Sequence, residues 1–147
     1  EPEIILAGRR LNDAMGLHVS SQLIKSMVSR DIPIKGSNIL LMGLTFKENC
    51  PDLRNTKVVD IFEGLKEYGC NVDIYDPWIN SLDAQKEYGI KVIKEPKAKQ
   101  YDAIILTVAH DKFKEMGLKA IRALGKDKNI LYDLKYIFSS RETDLRL

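Results

Sequence analysis

The chain has 147 residues, a net charge of +2, 44% apolar and 30% charged residues. That length fits one domain with its own core, and the composition excludes a disordered chain. The small charge argues against a nucleic-acid or membrane-surface partner, and no apolar run approaches the roughly 20 residues needed to span a bilayer.

Residues 1–30 read as one long helix. Pro2 suits a first turn, and Glu1 and Glu3 complement its positive end. Leu11, Met15, Val19, Leu23 and Met27 recur every fourth residue, with Ile4, Ala7, Ala14, Ile24 and Val28 widening the stripe. Gly8 and Gly16 weaken the helix but permit close approach of another. Such a stripe either folds back on its own domain or pairs across a dimer. Ile32-Pro33 ends it, because the residue before proline avoids helical geometry.

From Lys35 the pattern turns α/β. Ile39-Leu40-Leu41-Met42 reads as a strand buried on both faces. A charged loop, Gly43 to Thr56, precedes a helix with Val58, Ile61, Phe62 and Leu65 at helical spacing, stopped at Gly69. Asn71 to Tyr75 alternates as a second strand, broken by Asp76-Pro77. Ser81 is the expected N-cap of a short helix reaching Tyr88. Lys91-Val92-Ile93 forms a brief third strand and 103–108 the strongest one. Phe113 to Leu124 is helical with a break near Gly117, and Asn129 to Asp133 is a last strand. The alternation predicts a Rossmann-like α/β domain, a parallel sheet of about five strands flanked by helices, over 35–147, behind a helical arm, 1–34.

The loop after the first strand lies where open parallel sheets bind ligands, beyond the carboxyl ends of the strands. Lys47 and Arg54 are residue types that hold phosphates and other anions, and Phe46 offers an apolar face for a ring. Local ion pairing on a solvated surface is the competing role. Gly43 stands alone, without the G-x-G-x-x-G that brings backbone against a pyrophosphate, so this is no primary dinucleotide site. Asp76 lies 33 residues after Gly43, beyond the roughly 20 usual for a ribose-binding acid; it reads either as a turn starter or as such an acid. Cys50 lies near both cations, a setting that invites a nucleophile's role, whereas Cys70 reads as core. Two cysteines make no disulfide framework. His18 and His110 lack second ligands at metal spacing; His110 is expected to cap the next helix or face solvent, ahead of facing a nucleotide cleft. Lys94, Lys97 and Lys99 read as a solvated loop face.

The stretch Gly-Leu-Thr-Phe-Lys-Glu-Asn-Cys-Pro-Asp-Leu-Arg-Asn-Thr, residues 43–56, resembles the G-x-x-F-K-x-x-T-x-D-x-R-x-S stretch of the nucleotide-sugar 6-dehydrogenases. Gly43, Phe46, Lys47, Asp52 and Arg54 fall in register; Cys50 replaces Thr, and Thr56 stands for Ser. The likeness extends to residues 7–13, to Tyr75-Asp76-Pro77 and to Tyr132-Asp133-Leu134-Lys135. It implies the UDP-binding C-terminal domain of an NAD-dependent UDP-sugar 6-dehydrogenase, which oxidises the sugar C6 alcohol to a carboxylate for surface polysaccharides. Phe46, Lys47 and Lys135 are then expected at the UDP-sugar and Arg54 at NAD. The resemblance places NAD mainly on a preceding N-terminal domain. The nucleophilic cysteine belongs to a glycine-rich motif not found here, so no catalytic residue and no metal ligand is expected in this chain. The helical arm resembles the linking helix that packs across a homodimer. Residues 9–13 and the Asp-Leu-Lys ending look closer to the UDP-N-acetylhexosamine branch, of Vi-polysaccharide type. A start without Met suggests a piece of a longer protein, and Glu-Pro-Glu is no signal peptide, so a cytoplasmic location is expected. A stand-alone nucleotide-binding or regulatory module without chemistry is the alternative, since its βα alternation is the same.

Overall fold

The computed structural model describes the backbone of residues 2–147 and the side chains from residue 14 onward. The expected roles of Glu1, Ile4, Ala7, Gly8 and Leu11 lie outside the described residues. Helix α1 spans Pro2–Ser29, followed by β1 (Asn38–Met42), α2 (Val58–Glu67), β2 (Asn71–Tyr75), α3 (Ser81–Tyr88), β3 (Val92–Ile93), β4 (Tyr101–Leu106), α4 (Asp111–Arg122), β5 (Gly125–Asp133) and β6 (Leu145–Arg146). The sheet order is β3-β2-β1-β4-β5-β6, with every neighbouring pair parallel. Six strands therefore stand where about five were expected. The sixth pairs Tyr132 with Leu145 and Asp133 with Arg146; two residues are too few to show a sequence period.

The strands alternate as a sheet buried on both faces requires. Ile39 and Leu41, with Ala103, Ile105, Ile130 and Tyr132, join Val19, Leu23 and Met27 of α1 and Val58, Ile61 and Leu65 of α2 on one face. Leu40 and Met42, with Ile104, Leu106 and Leu131, join Phe113 and Ile121 of α4 on the other. Burying one such side chain contributes about 1.5–3 kcal/mol, so the central strands β1 and β4 fix the layering. Strand β4 starts at Tyr101, whose hydroxyl donates to Asp73 at 2.7 Å.

The second half of α1 folds against its own domain, the first of its two readings. Gly16 makes this contact possible, since a Cβ there would lie 2.6 Å from the Asp60 Cβ. Arg30 anchors the end of the helical arm to Asp144 at 3.2 Å. Met15, Leu17 and Val28 remain exposed. The cap of α3 is Asn80 rather than Ser81: the Asn80 side chain accepts from the Leu82 N–H at 2.8 Å. Helix α4 breaks at Gly117, as its sequence predicts.

Candidate functional site

The loop between β1 and α2 has a buried root. The Leu44 and Thr45 N–H groups donate to Asp76 Oδ2 at 2.7 and 3.1 Å, and the Trp78 N–H donates to Asp76 Oδ1 at 2.8 Å. His110 Nε2 lies 3.0 Å from the same Asp76 Oδ2. Burial pushes the Asp76 carboxyl up, but hydrogen bonds from His110 and the Leu44 and Trp78 amides outweigh it and hold the carboxyl below its ordinary value. Of its two readings, Asp76 is the structural one: both oxygens are committed to the protein's own donors. His110 is neither exposed nor a side-chain cap, since it is fully buried and makes no capping bond to α4. It departs from the sequence expectation because its partners Asp76, Asn49 and Thr45 lie 34, 61 and 65 residues away in the chain.

Gly43 also belongs to this root. Its φ is +115°, and a Cβ would lie 2.5 Å from the Val108 Cβ. Val108 thus fills the space a side chain would take, and the Gly43 N–H donates to the Tyr75 carbonyl at 2.8 Å.

The loop's crest is exposed. The Phe46 N–H donates to the Asp52 carbonyl at 2.8 Å, closing the turn that presents Phe46 and Lys47. Both side chains lie on the exposed crest, with Phe46 54% accessible. Arg54 Nε and Nη2 donate to the Asp52 carboxylate at 3.1 and 3.2 Å. That hydrogen bond leads the effects that lower the Asp52 pKa and raise that of Arg54. Leu53 turns inward, and its carbonyl accepts from the Tyr88 hydroxyl.

Beside the loop opens a recess of about 260 Å³ lined by Thr45, Phe46, Thr56, Lys57, Val58, Thr107 and Lys135. It collects the carboxyl ends of β1, β4 and β5 with the start of α2. Lys57, Val58, Thr107 and Lys135 also line a neighbouring apolar recess of about 160 Å³ that reaches Met15, Val19 and Leu147. Thr107 supports the floor, its hydroxyl facing the Met42 and Gly43 carbonyls at 2.8 and 2.6 Å. Lys135 is set by Asp133, which accepts from the Lys135 N–H at 3.1 Å and the Phe138 N–H at 2.9 Å. Beyond it Tyr136 lies under the Arg146 guanidinium, 4.0 Å from the ring centroid, with its hydroxyl donating to the Leu147 carbonyl.

The structure therefore brings Phe46 and Lys135 to one recess. Lys47 sits beside them on the crest, and Arg54 points into its pairing with Asp52. Sequence reasoning missed Lys57, which follows the matched stretch by one residue and had only its charge to mark it. Two lysines and an aromatic edge make a recess suited to an anion joined to a ring. Cys50 is a free, half-buried thiol and Cys70 is buried, with burial leading the rise in its pKa. Among the described residues no group of three or more His, Cys, Asp or Glu side chains could hold a metal, and no helix is long and apolar enough to cross a membrane.

Residues 40–140 match the model of the UDP-glucose/GDP-mannose dehydrogenase family, UDP binding domain. The chain is 60% identical over 146 residues to a UDP-N-acetyl-D-glucosamine 6-dehydrogenase of Pseudomonas aeruginosa, covering 99% of this chain and 35% of the relative. It is 54% identical over 146 residues to the Salmonella typhi enzyme of that name, covering 99% and 34%. The chain thus spans about a third of the length of these relatives. A solved NDP-N-acetyl-D-galactosaminuronic acid dehydrogenase from Methanosarcina mazei superposes with a TM-score of 0.78 at 18% identity, over 93% of this chain and 28% of that one. At that identity the likeness is one of fold.

Proposed function

The chain belongs to the UDP-glucose/GDP-mannose dehydrogenase family, and from that premise we propose that it is the UDP-binding part of an NAD-dependent UDP-sugar 6-dehydrogenase. The observation that carries this reading is the recess at the carboxyl ends of β1, β4 and β5, lined together by Phe46 and Lys135. In it the nucleotide sugar lies against the Phe46 ring, and Lys47 and Lys135 supply charge to its phosphates. Lys57 lines that recess with Lys135 and makes a second cation in it. Arg54 serves NAD from the outer side of the loop, exchanging its Asp52 partner for the cofactor.

The full protein oxidises the sugar C6 alcohol to the uronate. UDP-N-acetylglucosamine is the favoured substrate, a preference supported by the names of the two relatives above. NAD is held mainly by a preceding domain, a division supported by Gly43, whose open side is filled by Val108. Residues 1–34 form the end of a linking helix and 35–147 the UDP-binding unit. Exposed Met15, Leu17 and Val28 support homodimer formation through that helix. The product feeds surface polysaccharide synthesis in the cytoplasm.

Separate calorimetric titrations of UDP, GDP and NAD test the core of this proposal. Saturable binding of UDP, in clear preference to GDP and NAD, is the expected result. Equal binding of all three, or of none, would contradict it.

A further inference from the structure

The His110 ring is fully buried and tied to the loop that carries Phe46 and Lys47. Its Nδ1 accepts the Asn49 N–H at 3.0 Å. Nδ1 is therefore unprotonated, and the ring proton sits on Nε2, which donates toward Asp76 Oδ2 at 3.0 Å. The Thr45 hydroxyl stands 3.1 Å from Nε2 and gives its own proton to the Lys47 carbonyl at 2.9 Å. Asn49 is in turn held from its other side. It adopts a φ of +55°, and its side-chain oxygen accepts the Asp111 N–H at 3.0 Å, capping α4 where His110 does not. The Phe113 ring packs edge-on to the imidazole at 5.3 Å between centroids, and Trp78 lies on it at 6.3 Å.

The backbone on each side of Lys47 is thus tied to one imidazole, through Thr45 before it and Asn49 after it. A four-residue exposed crest would otherwise sample many conformations, and ordering it on binding would cost about 1–2 kcal/mol per residue. We propose that His110 is the positioning residue of the Phe46–Lys47 crest, holding it in its UDP-receiving conformation through the Asn49 amide. The Asp76 contact sets the tautomer, and the Asn49 contact transmits it. This proposal rests on the UDP reading of the recess.

Two substitutions separate the ring's two nitrogens. An asparagine side chain places its carbonyl oxygen near the Nδ1 position, so His110→Asn keeps the acceptor for Asn49 and loses Asp76. A glutamine amide reaches the Nε2 position, so His110→Gln keeps a donor for Asp76 and loses Asn49. The readouts are UDP affinity by calorimetry, unfolding stability, and amide exchange at Asn49 and Phe46. His110→Gln is expected to be the more stable variant yet the weaker binder, its UDP affinity reduced about three- to tenfold, with faster exchange at Asn49. His110→Asn is expected to bind UDP within about twofold of the parent and to keep Asn49 protected.

UDP losses that follow the order of stability, or a His110→Gln protein with unchanged affinity and exchange, would overturn the proposal. If His110→Asn does not fold, His110→Gln against the parent decides alone. A parent chain that fails to bind UDP sinks the nucleotide reading, and Asn49 exchange still tests the crest-holding role without ligand.

Discussion

The loop after β1, residues 43–56, has two parts that obey different rules. Its root, Gly43 to Thr45 with Leu53 and Thr56, is buried; its crest, Phe46 to Asn49, is exposed. The Leu44 and Thr45 amides of the root both meet one fixed acceptor, Asp76, whereas the crest leaves a ring and a cation facing outward. The lesson is a division of labour along one loop. Folding free energy is spent at the root, and that fixes where a crest with few contacts of its own is held. Substitutions at the Asp76 anchor should therefore act on stability and crest substitutions on binding, with His110 linking the two.

The largest expected effect is at the root. Asp76→Ala leaves the Leu44, Thr45 and Trp78 N–H groups and His110 without their acceptor. It should lower unfolding stability by about 3–5 kcal/mol, read from denaturant midpoints. A loss no larger than a surface substitution would break the distinction between root and crest.

The acid limb of stability sharpens the same point. The depressed Asp76 pKa means that its contribution is fully present above the unfolded-state value of about 3.9 and is lost as pH falls through the lower folded value. Stability should thus decline from about pH 4 downward. Asp144 adds to that decline: burial raises its pKa, but hydrogen bonds from Arg122, the Leu131 amide and Arg30 lower it further. Unfolding curves of Asp76→Asn across this range should show a shallower acid limb than the parent. Equal limbs would mean that Asp76 is not the titrating anchor.

At the crest, Lys47→Ala should weaken UDP binding about 10- to 150-fold, the effect of losing a charge-assisted hydrogen bond, with the unfolding midpoint unchanged. A shifted midpoint with intact UDP affinity would reverse the assignment of crest and root. The smallest effect belongs to Arg54→Ala. Arg54 is 82% exposed in its side chain and paired with Asp52. Its loss should leave UDP affinity within about twofold and, in the full enzyme, act on NAD saturation.

Much of this was legible in the residues. The apolar run at β1 and the spacing of Val58, Ile61 and Leu65 announced a strand and a helix, because burial on both faces and on one stripe leaves a local trace. The loop's exposed charges were legible as residue types, Lys47 on the crest and Arg54 beyond buried Leu53. The root was not. Asp76 and His110 meet Thr45 across 31 and 65 residues, and no local pattern encodes such a meeting. The Asp-Pro turn stands, with Asp76 Oδ1 taking the Trp78 N–H, but its Oδ2 also serves the loop in a role with no local trace, while the His-Asp helix start had a local explanation that the buried His110 overrode. Strand β6 escaped for the opposite reason: two residues, Leu145 and Arg146, carry no period.

In the proposed function the recess between Phe46 and Lys135 receives UDP. Titrating UDP into the isotope-labelled chain while following its amide resonances tests this most directly. Saturable shifts concentrated at Phe46, Lys47, Thr56 to Val58 and Lys135 are the expected result. Shifts centred instead on the recess of about 430 Å³ beside β2 and β3, at Tyr75, Ile79, Val92 and Lys94, would contradict it, as would no saturable shift at all.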